Sequence, residues 1–334
     1  MLLVIIGHIF VGEWTDYIYS FHMPLFFFLS GFCLAKKETI DPPLHYLGRK
    51  CRTVLLPYVV FFFLSLALYN LRYSPDAGLY LKEAMTWPAV VKALVLSGGY
   101  LNSIPLHNFP LWFLPHLFVV DMAFYGLRRL GSHLRSLRQR QIAAVLLAVV
   151  LIALTVPVQT VLPGRPALHA NIFPASLAFF LLGWLLEPVP RVRLWKAVPW
   201  CCLPLLLCGY LLQAINGGGN ISNIHSVLYY AAALCSILGF YSLAQRIESP
   251  ALAYIGRNAM IFLGLHMFVF TRLTVFPCPA FLTHQAVYDA MRLVLGVLIL
   301  MIVCEAWRWM RRVPALLYHS AKGSDGTRRR GKKT

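Results

Sequence analysis

Long apolar segments recur along the whole chain, and most of them are long enough to cross a lipid bilayer. A spanning helix needs about 20 consecutive, mostly apolar residues, because the hydrocarbon core is about 30 Å thick. The segments are residues 1–12 (a short one), 20–36, 54–72, 111–127, 141–157, 172–188, 197–214, 226–245, 254–273 and 288–309. They predict an all-α fold, a polytopic transmembrane helix bundle of about ten helices. The shorter stretch 86–100 is interpreted as an interfacial or re-entrant helix inside a long 73–110 loop.

The composition indicates that lipid is the solvent for most of the chain. Hydrophobic residues make up 59% and charged residues 13% of the 334 residues, whereas soluble domains average about 45–50% apolar and about 25% charged. The net charge of +18 would suggest a nucleic-acid partner for a soluble protein. In a membrane protein it reflects the Lys and Arg residues of cytoplasmic loops, so we expect membrane lipids as partners and no nucleic acid.

The basic residues also predict an orientation. Most of the 30 Lys and Arg residues lie in segments 36–53, 128–140, 189–196, 246–257 and 308–334, which share one side if the helices alternate. Because cytoplasmic loops carry the excess of Lys and Arg, both termini are predicted to be cytoplasmic. We therefore expect a membrane-embedded domain at 1–309 and a basic cytoplasmic tail at 310–334.

Three histidines lie in or beside apolar segments, where an ionisable group is costly and by default a functional candidate. His8 lies near the end of the first segment, His22 opens the second, and His266 lies in the middle of a later one. A short acidic loop with Glu13 and Asp16 is predicted between the first two segments. An imidazole titrates near neutrality and can remove a proton from a hydroxyl group. The alternative is a structural histidine that bonds a backbone carbonyl across the bundle.

The other histidines and the cysteines have no pattern that indicates chemistry. His116 and His169 are interpreted as interface and loop groups. The eight cysteines show no CxxC pair and no zinc-type spacing, so neither a metal site nor a disulfide framework is predicted.

Arg49 and Arg52, with Lys50 between them, precede the third long segment on its cytoplasmic side. Residues three apart share a face of a helix, and paired guanidinium groups bind phosphates through fork-shaped donors. The alternative is the ordinary positive charge of an inner loop. Asp121 lies in another apolar segment and needs a partner, which the sequence does not identify.

Several short motifs stand in a fixed order along the chain. They are VIIGH at Val4–His8, FHMPLFFFLSGF at Phe21–Phe32, the Arg49–Arg52 run before Leu56–Tyr58, PLWFL at Pro110–Leu114, FFLLGW at Phe179–Trp184 and IGRNAMIFLGLH at Ile255–His266. In this order they resemble the acyltransferase 3 family of integral-membrane O-acyltransferases, and the second motif is similar to the fucose 4-O-acetylase type.

The resemblance implies an enzyme that moves an acyl group, usually acetyl, from acyl-CoA to a hydroxyl of a sugar, a lipid-linked glycan or a cell-surface polysaccharide. It implies acyl-CoA (acetyl-CoA) as co-substrate, no bound cofactor, and a location in a bacterial inner membrane. Residue by residue, the resemblance implies His8 as the catalytic base and Arg49 and Arg52 for acyl-CoA binding, and it places His266 at the end of the family's late-helix motif. From their positions in the sequence we further expect Lys50 to add to the acyl-CoA site and His22, His266, Glu13 and Asp16 to be auxiliary groups.

The first segment is short for a spanning helix. The seven residues before His8 supply about 10 Å of helix, and the family pattern has a basic residue about eleven positions before this histidine. We therefore expect an upstream extension of the chain.

Two other functions remain open at this point. One is a glycan or lipid transporter in which buried His and Asp groups relay protons. Transporters often contain inverted repeats, and none is visible in the sequence. The other is a catalytically inactive relative with a binding role.

Overall fold

The computed structural model describes residues 1–10, 12–36, 39–74, 78–81, 86–97, 101, 104, 106, 108–187, 201–273 and 285–330. Two compact units divide the chain, Met1–Pro250 and Ala251–Thr334.

Helices dominate the first unit. They are α1 (Leu2–Ile9), α2 (Glu13–Ala35), α3 (Pro43–Lys50), α4 (Leu56–Asn70), α5 (Trp87–Leu96), α6 (Phe113–Gly131), α7 (Leu137–Val161), α8 (Phe173–Leu186), α9 (Cys202–Ile215) and α10 (Leu228–Ala244). A π-helical turn, Cys51–Leu55, joins α3 to α4, and 3₁₀ turns at Phe109–Trp112 and Ala167–Ile172 lead into α6 and α8. A short antiparallel hairpin, β1 (Leu71–Ser74) and β2 (Gly78–Leu81), follows α4.

The predicted membrane class is confirmed by the length and apolarity of the helices. Six of the described helical segments are long and apolar enough to span a bilayer, or seven if one bent pair counts as a span. They are Trp14–Ala35, Pro43–Leu68, Phe109–Gly131, Leu137–Val161, Ala167–Leu186 and Gln285–Met310. The number of about ten helices and the cytoplasmic location of both termini remain predictions.

Helices α2 and α8 form the centre of the first unit and meet backbone to backbone. A Cβ atom on Gly31 would lie 1.9 Å from the carbonyl oxygen of Phe180, and one on Gly183 would lie 1.9 Å from that of Phe28. Gly31 thus faces the carbonyl three residues before Gly183, and Gly183 faces the carbonyl three residues before Gly31. This reciprocal arrangement is that of two parallel helices that cross closely. Small residues are the usual means of close helix packing in membranes, where lipid tails are as apolar as the side chains.

The predicted loop between the first two segments is helical. Phe10 ends α1 in an extended conformation, and Gly12 has a φ of 137°, which glycine adopts readily because it has no Cβ atom. The chain therefore turns within a few residues, and α2 begins at Glu13, seven residues earlier than predicted. The short first helix is confirmed as α1.

The second unit contains α11 (Pro250–Arg257) from its second residue onward, α12 (Ala259–Leu273) and α13 (Gln285–Arg330). The sequence predicts one helix over 254–273, but α11 and α12 meet at an angle of 89° at Asn258. The Asn258 side chain donates to the carbonyl oxygen of Tyr254 at 2.8 Å, an example of an Asn side chain that competes with the helical backbone. Helix α13 continues through the predicted boundary at residue 309.

Candidate functional site

The most promising site lies where the end of α1 contacts α2. His8 is in the last turn of α1 and its side chain is exposed. The Tyr19 side chain of α2 reaches it, with the hydroxyl 3.1 Å from His8 Nδ1 and the two rings edge to face at 5.9 Å. The same hydroxyl donates to the carbonyl oxygen of Gly7 at 2.8 Å.

This arrangement assigns the His8 tautomer. A tyrosine hydroxyl carries one proton, and the Gly7 carbonyl can only accept it. Because that proton goes to Gly7, the His8 Nδ1 must carry the ring proton and donate it to the Tyr19 oxygen. The lone pair of the neutral ring is then on Nε2.

His22 joins the same cluster from the next turn of α2. It is 6% exposed, its Nδ1 donates to the carbonyl of Ile18 at 3.0 Å, and its ring lies edge to face with Tyr19 at 5.1 Å. Tyr19 therefore contacts both histidines that the sequence singles out in this region. Asp16 is exposed one turn earlier on α2, and Glu13 begins the helix, although its side chain is outside the described part.

The basic cluster lies near the other end of α2. Arg49 forms an ion pair with Asp41 at 2.5 Å and lies over the ring of Tyr46. Lys50 forms an ion pair with Asp121, and the Tyr46 hydroxyl donates to the same carboxylate at 2.8 Å. Lys50 is thus the partner that the buried Asp121 requires. The positive charge of Lys50 is therefore already compensated within the fold by this carboxylate.

Arg52 differs from Arg49 in its surroundings. It lies in the π-helical turn and is exposed, whereas Arg49 is partly buried against Asp41. The prediction that the two share a helix face assumes α-helical geometry, which ends at Lys50. Single π-helical turns are frequent at functional sites.

An apolar groove adjoins the basic cluster. It has a volume of about 580 Å³ and is lined by the ends of α2, α6 and α8 and the start of α7, with Arg128 and Arg140 among the lining residues. A small crevice next to it contains Asp41, Arg49 and Arg128. The groove reaches Ala35, which is 13 residues, or about 20 Å of helix, from His22 along α2.

A third cluster joins α6 to the turn before α8, and the sequence does not predict it. His116 is fully buried. Its Nδ1 donates to the carbonyl of Leu168 at 2.7 Å, and its Nε2 accepts from the Ser176 hydroxyl at 2.9 Å. His169 is 3% exposed, and its ring lies 4.2 Å from that of Trp112. His116 thus lies within α6 and His169 in the turn before α8, and both side chains are buried.

His266 lies in the second unit. It is fully buried, and its Nδ1 lies 3.0 Å from the carbonyl oxygens of Phe262 and Leu263. This geometry is that of a histidine bonded to its own helix, and an auxiliary role for it stays a prediction. Within the described residues, no group of three or more His, Cys, Asp or Glu side chains is placed to hold a metal ion.

A family model described as an acyltransferase domain matches residues 1–307 of the chain. The comparisons with curated proteins and with solved structures found no match to the chain.

Proposed function

The chain belongs to the acyltransferase 3 family, and on this premise we propose that it moves an acyl group, in particular acetyl, from acyl-CoA to a hydroxyl of a sugar or cell-surface glycan. It is a multi-pass membrane protein with an acyltransferase domain. The proposed location is a bacterial inner membrane with both termini in the cytoplasm, where the acyl-CoA donor is found.

The observation that carries the proposal is the pairing of His8 with Tyr19. A general base needs a nitrogen lone pair that faces the reacting hydroxyl, and the Tyr19 contact holds the ring proton on Nδ1. His8 Nε2 then takes the proton of the acceptor hydroxyl while the hydroxyl oxygen attacks the thioester carbonyl. The new ester bond forms, the carbon–sulfur bond breaks, and CoA leaves as the thiol after it regains a proton.

The shape of the donor agrees with the separation of the two clusters. Arg49 and the groove lie near the end of α2 that contains Ala35, and the His8–Tyr19–His22 cluster lies near its start. A CoA thioester is long, with phosphates at one end and the reactive carbonyl at the other. We propose that the phosphates bind Arg49 and Arg52 and that the pantetheine arm extends along the bundle toward His8.

The test is acyl transfer by the purified protein. We expect radiolabelled acetyl-CoA to transfer its label to a sugar acceptor, with free CoA released in equal amount. His8→Ala should lower the rate by about 10²–10⁴-fold, the usual contribution of a general base. His133→Ala, a change at an exposed histidine of the 132–136 turn, is the matched control. An unchanged rate in His8→Ala would exclude His8 as the base.

A further inference from the structure

The turn before α8 presents buried polar atoms that the fold does not use. Both ring nitrogens of His169 and the side-chain oxygen of Asn171 are buried, and none has a hydrogen-bond partner among the described residues. Buried polar groups are normally paired, because an unpaired one loses its hydration without compensation. Three such atoms on one turn therefore indicate a group that binds there.

The backbone holds His169 in this place. Leu168 and His169 both have a φ of 52°, a left-handed conformation that residues other than glycine rarely adopt. The His116 Nδ1–H group bonds the Leu168 carbonyl, and the amide of Asn171 donates to the carbonyl of Gly164 at 2.9 Å. The turn is thus fastened at both sides of His169, while the imidazole itself contacts the ring of Trp112.

The chemistry of these atoms selects the ligand class. A neutral imidazole offers one N–H donor and one acceptor, and the Asn171 oxygen adds a second acceptor. A phosphate or carboxylate only accepts, so it would leave two acceptors unpaired. A cation is disfavoured because the guanidinium of Arg165 acts electrostatically on His169. A hydroxyl both donates and accepts, and neighbouring hydroxyls on a sugar ring match this mixed set beside an aromatic side chain.

The turn also lies at the level of the proposed catalytic cluster. The ring of Phe27 on α2 lies 5.6 Å from that of His116, and His116 bonds Ser176 on α8. Helices α2 and α8 are parallel, so equal numbers of residues along each chain cover about the same height of the bundle. His22 is five residues before Phe27, and Asn171 is five residues before Ser176. The two clusters therefore occupy the same end of the first unit.

We propose that Trp112, His169 and Asn171 form the subsite that holds hydroxyl groups of the acceptor sugar. This inference rests on the proposed acyl transfer for its biological meaning, but sugar binding is measured without catalysis. The subsite would orient the acceptor so that another of its hydroxyls faces the catalytic base.

The experiment compares His169→Asn with two controls in detergent-purified full-length protein. Asparagine tolerates the left-handed conformation, so this change removes the imidazole and keeps the turn. Leu168→Asn alters the same strained turn without removing a polar group, and His133→Asn removes an exposed histidine elsewhere. The probes are the methyl glycosides of fucose, galactose, glucose and N-acetylglucosamine, with tetrahydropyran as a ring that lacks hydroxyls.

Saturation-transfer NMR measures binding. We expect at least one methyl glycoside to bind the wild type and both controls, and His169→Asn to weaken that binding about tenfold, as expected for the net loss of a hydrogen bond. Tetrahydropyran should bind weakly and equally to all four proteins. Equal glycoside affinity in His169→Asn and the wild type, or no glycoside binding to the wild type, overturns the subsite.

A second measurement separates this inference from the proposed function. Under the proposed function, hydrolysis of acetyl-CoA without acceptor would depend on the donor site and His8, and we expect His169→Asn to retain it at the wild-type rate. In transfer assays the same variant should show a raised KM for the glycoside. Loss of donor hydrolysis in His169→Asn overturns a role confined to the acceptor, whereas a wild type that binds glycoside but never consumes acetyl-CoA overturns only the proposed function.

Discussion

Gly31→Ala tests the close contact between α2 and α8, on which the positions of both histidine clusters depend. The added methyl carbon would lie 1.9 Å from the Phe180 carbonyl oxygen, whereas real Cβ atoms stay beyond 3.0 Å. The neighbour is backbone rather than a flexible side chain, so the two helices must move apart. Overpacking of this kind costs about 1–3 kcal/mol, and wider separation also weakens the other contacts along the crossing. We expect a loss of about 3 kcal/mol in the free energy of unfolding.

Gly126→Ala is the matched control, because a Cβ atom there would meet nothing within 4 Å. Alanine is the better helix former by about 1 kcal/mol, so this change should be neutral or stabilising. The assay is the temperature at which detergent-purified protein loses its monodisperse peak in fluorescence-detected size-exclusion chromatography. Gly31→Ala should lower this temperature by several degrees relative to Gly126→Ala. Equal temperatures for the two variants would refute the argument from backbone contact.

A pair of changes tests the reciprocity of the contact. Gly183→Ala should cost about as much as Gly31→Ala, because each methyl group meets a carbonyl oxygen of the other helix at the same distance. Once one alanine has separated the helices, the second meets less resistance. The double variant should therefore lose less stability than the two single losses together, as expected for residues that share one contact.

Three further outcomes concern the basic cluster and the contact between Tyr19 and His8. Lys50→Met should lower the free energy of unfolding by about 3 kcal/mol, because it leaves the buried Asp121 carboxylate without its cation. Arg52→Met, at an exposed position, should change that free energy by less than about 0.5 kcal/mol. Equal thermal stability of the two variants would contradict the role of Lys50. Arg49→Lys together with Arg52→Lys should weaken CoA binding measured by calorimetry, because a point charge cannot reproduce a bidentate phosphate contact, and an intact affinity would show that the pair is only an orientation signal. Tyr19→Phe should lower the rate of acyl transfer about tenfold, because the ring proton of His8 is then no longer held on Nδ1. The double variant with His8→Ala should be no slower than His8→Ala alone. Additive losses in the double variant would mean that Tyr19 acts elsewhere.

The membrane class and most helices follow from the sequence because apolar segments of spanning length have few other stable folds in lipid. The errors have local causes. The loop predicted at 13–19 is helical, and Gly12, with its φ of 137°, lies directly before this helix. The break at Asn258 depends on a side chain that bonds its own helix, and hydropathy does not report such a bond.

The candidate site is predictable only in part. His8 and His22 stand out as ionisable groups in apolar segments, but Tyr19 between them reads as an ordinary interface aromatic until its hydroxyl is seen to bond both Gly7 and His8. His169 reads as a loop residue because it follows Pro and Gly residues. It is buried and contacts the ring of Trp112, more than fifty residues away in the chain, and sequence spacing cannot show a contact of that kind.

The ion pair between Arg49 and Asp41 has a consequence for how the proposed anionic donor would bind. Asp41 is an internal anion that already occupies the guanidinium, so a phosphate at Arg49 must exchange with it rather than bind a bare cation. Exchange of one anion for another leaves the local charge nearly unchanged, and its equilibrium should depend less on salt than simple ion pairing does. It also sets an upper limit on donor affinity, which Asp41→Asn should raise without any new contact. Under the proposed function we also expect CoA to leave easily after transfer, because the Asp41 carboxylate can return to the Arg49 guanidinium as CoA departs.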